Sequence, residues 1–347
     1  MGLNHPVDLA QWQSWQQRQR PLRSRAAAVA NGLLRRRPTA TLTLGGPEPR
    51  VLVVLEALKS TTRQAQLAPL TKVDPTQVAV LAPASVGGAL PAHDWTTRHG
   101  SPPELLSSIM TPRTAVLSTG HYLGLGAAAH AHVEDPARFL TIQHGLLTPQ
   151  APPLAHGTTL LAWSAQDANF WRSGRDDVAA TVVGSQLLWD AAPAPRPEPT
   201  TLESDIPVYL GQLHGAEIPR DAMADAARRF CVANGAAYRP HPSETDRRSR
   251  AFHAKLEADG VEIERSGKSL AELGRPVVSV FSTGVLEAAA CGLPAWVDFP
   301  DPPAWLSEFW ERYGMSRWGG DPTPPPPMPA EEPSSAIAHI LRGMMDG

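Results

Sequence analysis

Short apolar runs, four to six residues long and without polar alternation, recur along the chain from residue 51 onward. In the first half they fall at residues 51–55, 78–82, 115–118, 139–143, 159–163 and 181–184. Aliphatic and β-branched runs of this length are what strands in a sheet covered on both faces require. The alanine-rich stretch 120–132 between two of these runs reads as a crossover helix, and strand–helix–strand order implies a parallel sheet. The pattern then breaks. Residues 191–199 hold four prolines, which exclude both a helix and a central strand and predict an extended linker. It restarts with strands expected at 206–210, 236–239, 261–263, 276–281 and 294–297 and helices at 219–232, 246–259 and 285–291. The expectation is an α/β chain of two doubly wound, Rossmann-like lobes facing a cleft, divided into a lobe 1–190, a linker 191–204, a lobe 205–320 and a tail 321–347. The tail opens with a second proline-rich stretch, 321–333, expected to act as a polyproline tether, and ends in a helix over 334–345. That helix has two readings, a return to the first lobe or a mobile tail.

Composition adds limits. A hydrophobic share of 42% against 19% charged residues supports packed cores over 347 residues, enough for two domains. No run of about 18 apolar residues occurs, so no transmembrane helix is expected. The polar first 25 residues lack the apolar core of a secretory signal, which predicts a cytoplasmic protein. Cys231 and Cys291 read as buried free thiols, and no Cys/His grouping has zinc-ligand spacing. A formal net charge of −3 gives no pull toward nucleic acid. The charge is uneven, however: the first 40 residues hold seven arginines and one acid, Asp8, together with Trp12 and Trp15. This basic segment has two readings, peripheral contact with an anionic membrane face or acidic polymer, or a solvated amphipathic helix packed on the domain.

In parallel α/β sheets ligands sit beyond the carboxyl ends of strands, so polar residues directly after a strand are the candidates. Gln143, His144 and Gly145 follow the run 139–143. Gly145 carries no Cβ to crowd a substrate, and the His144 imidazole, titrating near neutrality, can take a proton from an attacking hydroxyl. The alternative for His144 is a structural histidine at the strand end. In Arg239-Pro240-His241-Pro242-Ser243-Glu244 the prolines hold His241 extended, where an imidazole can bond phosphate oxygens and Arg239 adds a permanent charge. Ser243 and Asp246 also resemble a helix start, as N-cap and N3. Ser282, Thr283 and Gly284 lead into an alanine-rich helix bearing Glu287, an arrangement suited to an anion at the helix start. Gly284 permits close backbone approach; the Glu287 carboxylate suits ribose hydroxyls or, alternatively, a capping box. Gln212 and His214, after the first strand of the second lobe, are further candidates. His121, after 115–118, either lines the acceptor side or packs at a helix start.

In this chain order, with 41 residues from His241 to Ser282, the segments resemble the GT-B glycosyltransferase superfamily. More narrowly they are similar to its cytidine-nucleotide-donor branch: bacterial sialyl- and polysialyltransferases, Kdo transferases and CDP-glycerol glycerophosphotransferases. That branch carries a His-Pro motif and a downstream Ser/Thr motif on the donor phosphates, matched here by His241-Pro242 and Ser282-Thr283. The glycerophosphotransferases add a first-lobe His-Gly motif whose histidine serves as base, matched by His144-Gly145. The chain departs from them in lacking the Trp-His-Gly-Thr-Pro context around His144 and the Thr-Asp-Tyr-Ser-Ser context around Ser282. It also lacks the acidic first-lobe base motif of the sialyltransferases; Ala258-Asp259-Gly260 reads as a helix-to-strand turn.

The resemblance implies a transferase that moves a glycosyl or phosphoalditol group from a CMP- or CDP-linked donor to a cell-surface polysaccharide, teichoic-acid-like or lipid-linked acceptor. His144 would deprotonate the acceptor, while Arg239, His241, Ser282 and Thr283 would stabilise the departing phosphate. No metal and no cofactor are expected. Two alternatives stand beside it: a UDP-GlcNAc 2-epimerase-like sugar-nucleotide enzyme, which shares the two lobes and a Ser-Gly-Gly-type motif before a Glu-bearing helix, and a non-catalytic GT-B-fold scaffold acting through its basic N-terminus and polyproline segment.

Overall fold

The computed structural model describes residues 2–19, 39–57, 60–192, 202–213 and 215–346. The linker prolines at 193–199, the arginine-rich stretch 20–38 and His214 lie outside the described residues. The chain divides into two compact units, Met1–Leu187 with Pro329–Gly347, and Leu188–Met328.

Among its described residues the first unit opens with helix α1 (Leu9–Gln19) and holds eight strands, β1 (Ala40–Leu44), β2 (Val51–Val54), β3 (Val78–Ala82), β4 (Thr96–Gly100), β5 (Ala115–Ser118), β6 (Phe139–Ile142), β7 (Thr159–Ala162) and β8 (Ala179–Val182). Their order is β4-β1-β3-β2-β5-β6-β7-β8. From β3 to β8 every neighbour is parallel. β1 runs antiparallel to both β3 and β4, so the sheet is mixed at one edge where a wholly parallel one was expected. Helices α2 (Ser60–Leu67), α3 (Pro102–Ser107), α4 (Gly124–His130) and α5 (Ala165–Arg172) complete its main run, and α6 (Gln186–Ala191) begins at its end and continues into the second unit. The unbroken apolar runs are explained by cover on both faces: Val51, Val53 and Leu55 enter one buried cluster with Leu67 and Leu70, and Leu52 and Val54 enter another with Leu105, Leu106 and Ala129.

The C-terminal helix (Pro333–Asp346) belongs to this unit. Its Ile337, Ala338 and Leu341 join the cluster of Val51 and Val53. Glu332 accepts from Lys72 Nζ at 2.6 Å, and the Ser334 N–H donates to Gln186 Oε1 at 2.8 Å. At the other end of the chain, Trp12 is 3% exposed, donates its indole N–H to Gln150 O at 2.8 Å and meets Tyr122 edge-on at 5.3 Å. Trp12 therefore anchors α1 on the unit and does not face lipid. No described helix is long and apolar enough to cross a membrane.

Among its described residues the second unit carries four parallel strands, β9 (Val208–Leu210), β10 (Ala237–Arg239), β11 (Val277–Ser279) and β12 (Ala295–Val297), in the order β10-β9-β11-β12. Helices α7 (Arg220–Asn234), α8 (Arg247–Ala258), α9 (Leu270–Leu273), α10 (Thr283–Ala290) and α11 (Ala304–Arg312) surround it. The strand expected at 261–263 is reduced to a single bridge between Ile263 and Tyr238. The proline-rich stretch is no free tether at its start: Thr323 is buried, its N–H donates to Ala295 O at 2.8 Å, and its Oγ1 accepts from Ser316 N at 3.0 Å. Cys231 and Cys291 are buried free thiols.

Candidate functional site

On the second unit β9 lies between β10 and β11, so the loops after Leu210, Arg239 and Ser279 are neighbours at one edge. The chain goes outward from β9 to β10 and returns to β11 on the other side. The β9–β11 boundary is thus the topological switch point where open α/β sheets take ligands.

β10 delivers Arg239 and His241. Arg239 Nη2 donates to Lys268 O at 2.6 Å, and Nε lies 3.4 Å from Glu264 Oε2. Its Nη1 is shielded from solvent without a hydrogen-bond partner. His241 Nδ1 accepts the Ser243 N–H at 3.1 Å. A ring nitrogen that accepts carries no proton, so the neutral ring is the Nε2–H tautomer and Nε2 is its donor.

Glu244, at the end of the same segment, is buried. It accepts from Tyr238 Oη at 2.9 Å and from Leu213 N at 3.1 Å, and lies 3.0 Å from His253 Nε2. One carboxylate therefore clasps the exits of β9 and β10. Gly211 makes the clasp possible, because a Cβ there would run into Tyr238 Oη. Ser243 and Glu244 do not start the next helix. Asp246 does: it is the N-cap of α8, accepts from Arg248 N and Ser249 N, and pairs with Arg220 at 3.2 Å.

β11 delivers Ser282, Thr283, Gly284 and Glu287. Ser282 is the N-cap of α10, its Oγ accepting Gly284 N at 3.1 Å, and Thr283 is the first helical residue. A Cβ at Gly284 would stand 2.5 Å from Leu210 Cδ1, so the glycine brings α10 close onto β9. Glu287 takes no part in a capping box. Burial pushes its carboxyl above the ordinary range, partly offset by the Arg239 charge, which links the β10 and β11 segments electrostatically. Gln212 Oε1 accepts from Phe281 N and Ser279 Oγ, both at 3.0 Å, and so ties the exits of β9 and β11. His214 lies outside the described residues.

On the first unit, His144 stands half-buried after β6. Gln143 is fully engaged in joining β6 to β7: Nε2 donates to Gly145 O at 3.1 Å, Oε1 accepts Trp163 N at 2.9 Å, and its carbonyl accepts the Trp163 indole at 2.9 Å. A Cβ at Gly145 would meet nothing within 4 Å, and its φ is not positive, so neither packing nor backbone demands glycine there. The Glu244 clasp and the Gln143 cross-tie were not foreseen, because Leu213 and Trp163 follow other strands and His253 lies on α8.

No protein-family model matches the chain, and no curated protein matches it. Among solved structures it is similar to the Methanocaldococcus jannaschii UDP-GlcNAc 2-epimerase in complex with UDP-GlcNAc and UDP, with a TM-score of 0.51 and 11% identity over 84% of this chain and 99% of that one. At this identity the likeness establishes the fold, a GT-B-like α/β architecture, and leaves the chemistry to the site.

Proposed function

We propose that this protein is a nucleotide-sugar enzyme that holds the phosphates of its nucleotide at the strand ends of the second unit. The observation that carries the reading is His241: its tautomer is fixed by Ser243, and it follows the strand beside β9 while the N-capped start of α10 follows the strand on β9's other flank. The Nε2–H, the Arg239 guanidinium and the Ser282 and Thr283 hydroxyls are donors suited to phosphate oxygens. Glu287, kept out of any cap, suits ribose hydroxyls.

The finer reading is a transferase for a glycosyl or phosphoalditol group from a CMP- or CDP-linked donor to a polysaccharide, teichoic-acid-like or lipid-linked acceptor. His144 takes the acceptor hydroxyl's proton as its oxygen bonds to the transferred group, and the nucleotide phosphate leaves with the electron pair. Its support is the order His144-Gly145, His241-Pro242, Ser282-Thr283. A second reading, sugar-nucleotide epimerase, is favoured by the structural neighbour that holds UDP-GlcNAc and UDP. Thermal denaturation with CMP, CDP, UDP and GDP tests both. The transferase reading expects cytidine nucleotides to raise Tm, with the rise lost in Arg239→Ala and His241→Ala. Failure of every nucleotide to raise Tm overturns the proposal. A rise with UDP alone, together with C2 epimerisation of UDP-GlcNAc seen by proton NMR without an acceptor, establishes the second reading instead.

A further inference from the structure

The first unit has its own switch point, and His144 is not on it. The chain leaves β2 for β3 on one side and comes back to β5 on the other, so the crevice opens between β2 and β5, whereas His144 follows β6, one strand further out. Two residues past the end of β2 stands Glu56, half-buried, accepting the N–H of Gly126 at 2.5 Å. Gly126 brings α4 close, since a Cβ there would run into Gly120 O. Burial raises the Glu56 carboxyl, and the Gly126 and Leu125 amides offset part of that rise.

Past β5, Gly120 adopts φ +138°, a conformation that favours glycine, and turns the chain into His121 and Tyr122. Tyr122 shares the surroundings of Glu56: burial, with the Glu56 charge adding to it, pushes its phenol up to about 12. The His121 ring lies 5.3 Å from that of His130, and its Nδ1 is shielded from solvent with no hydrogen-bond partner. Burial foremost, then the charges of His130 and Arg175, pushes His121 down to about 4, so the ring is neutral near pH 7 and offers one donor and one acceptor. An unpaired buried nitrogen is unfavourable in itself, and a hydroxyl brought against it would complete its bonding. Arg175 is already committed to Asp177, Leu154 O and Pro6 O, so among the described residues it is not available to an anion here.

We infer that the β2–β5 crevice of the first unit binds a sugar or polyol, with Glu56 accepting from its hydroxyls and His121 pairing its open Nδ1 with another. The inference rests on the nucleotide-sugar reading only for the class of ligand; the residues belong to the first unit alone. Saturation-transfer NMR on the full chain, with N-acetylglucosamine and glycerol as probes, tests it together with the imidazole 15N signals of His121. The expected result is saturable binding of at least one probe that moves the His121 signals. Glu56→Gln keeps an acceptor for the Gly126 N–H and removes the charge. His121→Phe keeps a ring against His130 and removes both nitrogens. Each should weaken binding at least tenfold with Tm held and with the nucleotide-induced Tm rise unchanged. Binding that survives both substitutions overturns the inference, as does a lack of saturation transfer from both probes with His121 unmoved. If either variant fails to fold, the His121 signals of the unaltered protein decide alone. Sugar binding lost in the variants while no nucleotide raises Tm sinks the nucleotide reading and leaves this site standing.

Discussion

At His241 the two ring nitrogens have different duties: Nδ1 holds the backbone of Ser243, and Nε2 keeps the proton. An asparagine oxygen reaches about as far as Nδ1, so His241→Asn keeps the local bond and deletes the donor. The expected outcome in calorimetric titration is nucleotide affinity about tenfold weaker, roughly 1.4 kcal/mol, at nearly unchanged Tm. If affinity is unaltered, His241 is only a turn residue. Glu244 behaves oppositely. Glu244→Ala leaves Tyr238 Oη and Leu213 N without their acceptor and His253 without its neighbour, and should cost about 3 kcal/mol, read as a lower urea midpoint at similar slope. The place of the His241 segment directly after β10 was legible from the apolar run, but the segment closes into a turn, His241 O accepting the Glu244 N–H at 2.8 Å, where the prolines predicted an extended stretch. The Glu244 clasp was not legible, because its partners lie 6, 9 and 31 positions away, and only the pairing of β9 with β10 and the packing of α8 bring them together. The close approach expected at Gly284 is to Leu210, a partner on another strand that the sequence does not name.

Among the elements, the central parallel strands were legible because cover on both faces leaves an unbroken apolar signature, as in Val78–Ala82. The antiparallel edge was not. β4 is exposed along Thr96–Thr97–Arg98–His99 and carries no apolar signal, and it exists only by pairing with β1. Close packing of α4 yields a test: Gly126→Ala drives a methyl into the Gly120 carbonyl, a backbone atom that cannot rotate away. It should destabilise by about 2 kcal/mol, measured by chemical denaturation, despite the better helix propensity of alanine. The C-terminal helix supplies a pH-dependent one. Lys72 foremost, with Ser334 and Gln186, lowers the Glu332 carboxyl from 4.5 to about 2. A carboxyl lowered on folding stabilises above its unfolded value and loses that contribution as pH falls toward its folded value. Urea midpoints of the unaltered protein and Glu332→Gln should therefore differ above about pH 4.5 and converge as pH falls toward about 2. A gap that stays constant across that window would show that the ion pair does not hold the helix.

For the whole molecule, chain order and unit membership do not coincide. The sequence left the tail helix with two readings because an amphipathic pattern states that a face is buried and not what buries it. In the fold it packs in the first unit, while the residues just before it stay with the second, Thr323 bonded beside β12. Ile337 and Leu341 are 2% and 0% exposed and lie in one cluster with Val53, Val80 and Leu117. Burial of two such side chains, with Ala338, stabilises by about 5 kcal/mol. That is a large share of what a domain of this size holds in reserve. A chain ending at Met328 should thus lose stability in the first unit by about that amount, while the second unit, whose strands β9 to β12 and helices α7 to α11 all lie before the cut, keeps its own. Hydrogen exchange read by mass spectrometry separates the two. Peptides covering β2, β3 and β5 should exchange sharply faster in the shortened chain, and those covering β9 to β12 should not. Equal acceleration in both sets would mean that the units unfold as one, and the division drawn from their packing would have to be given up.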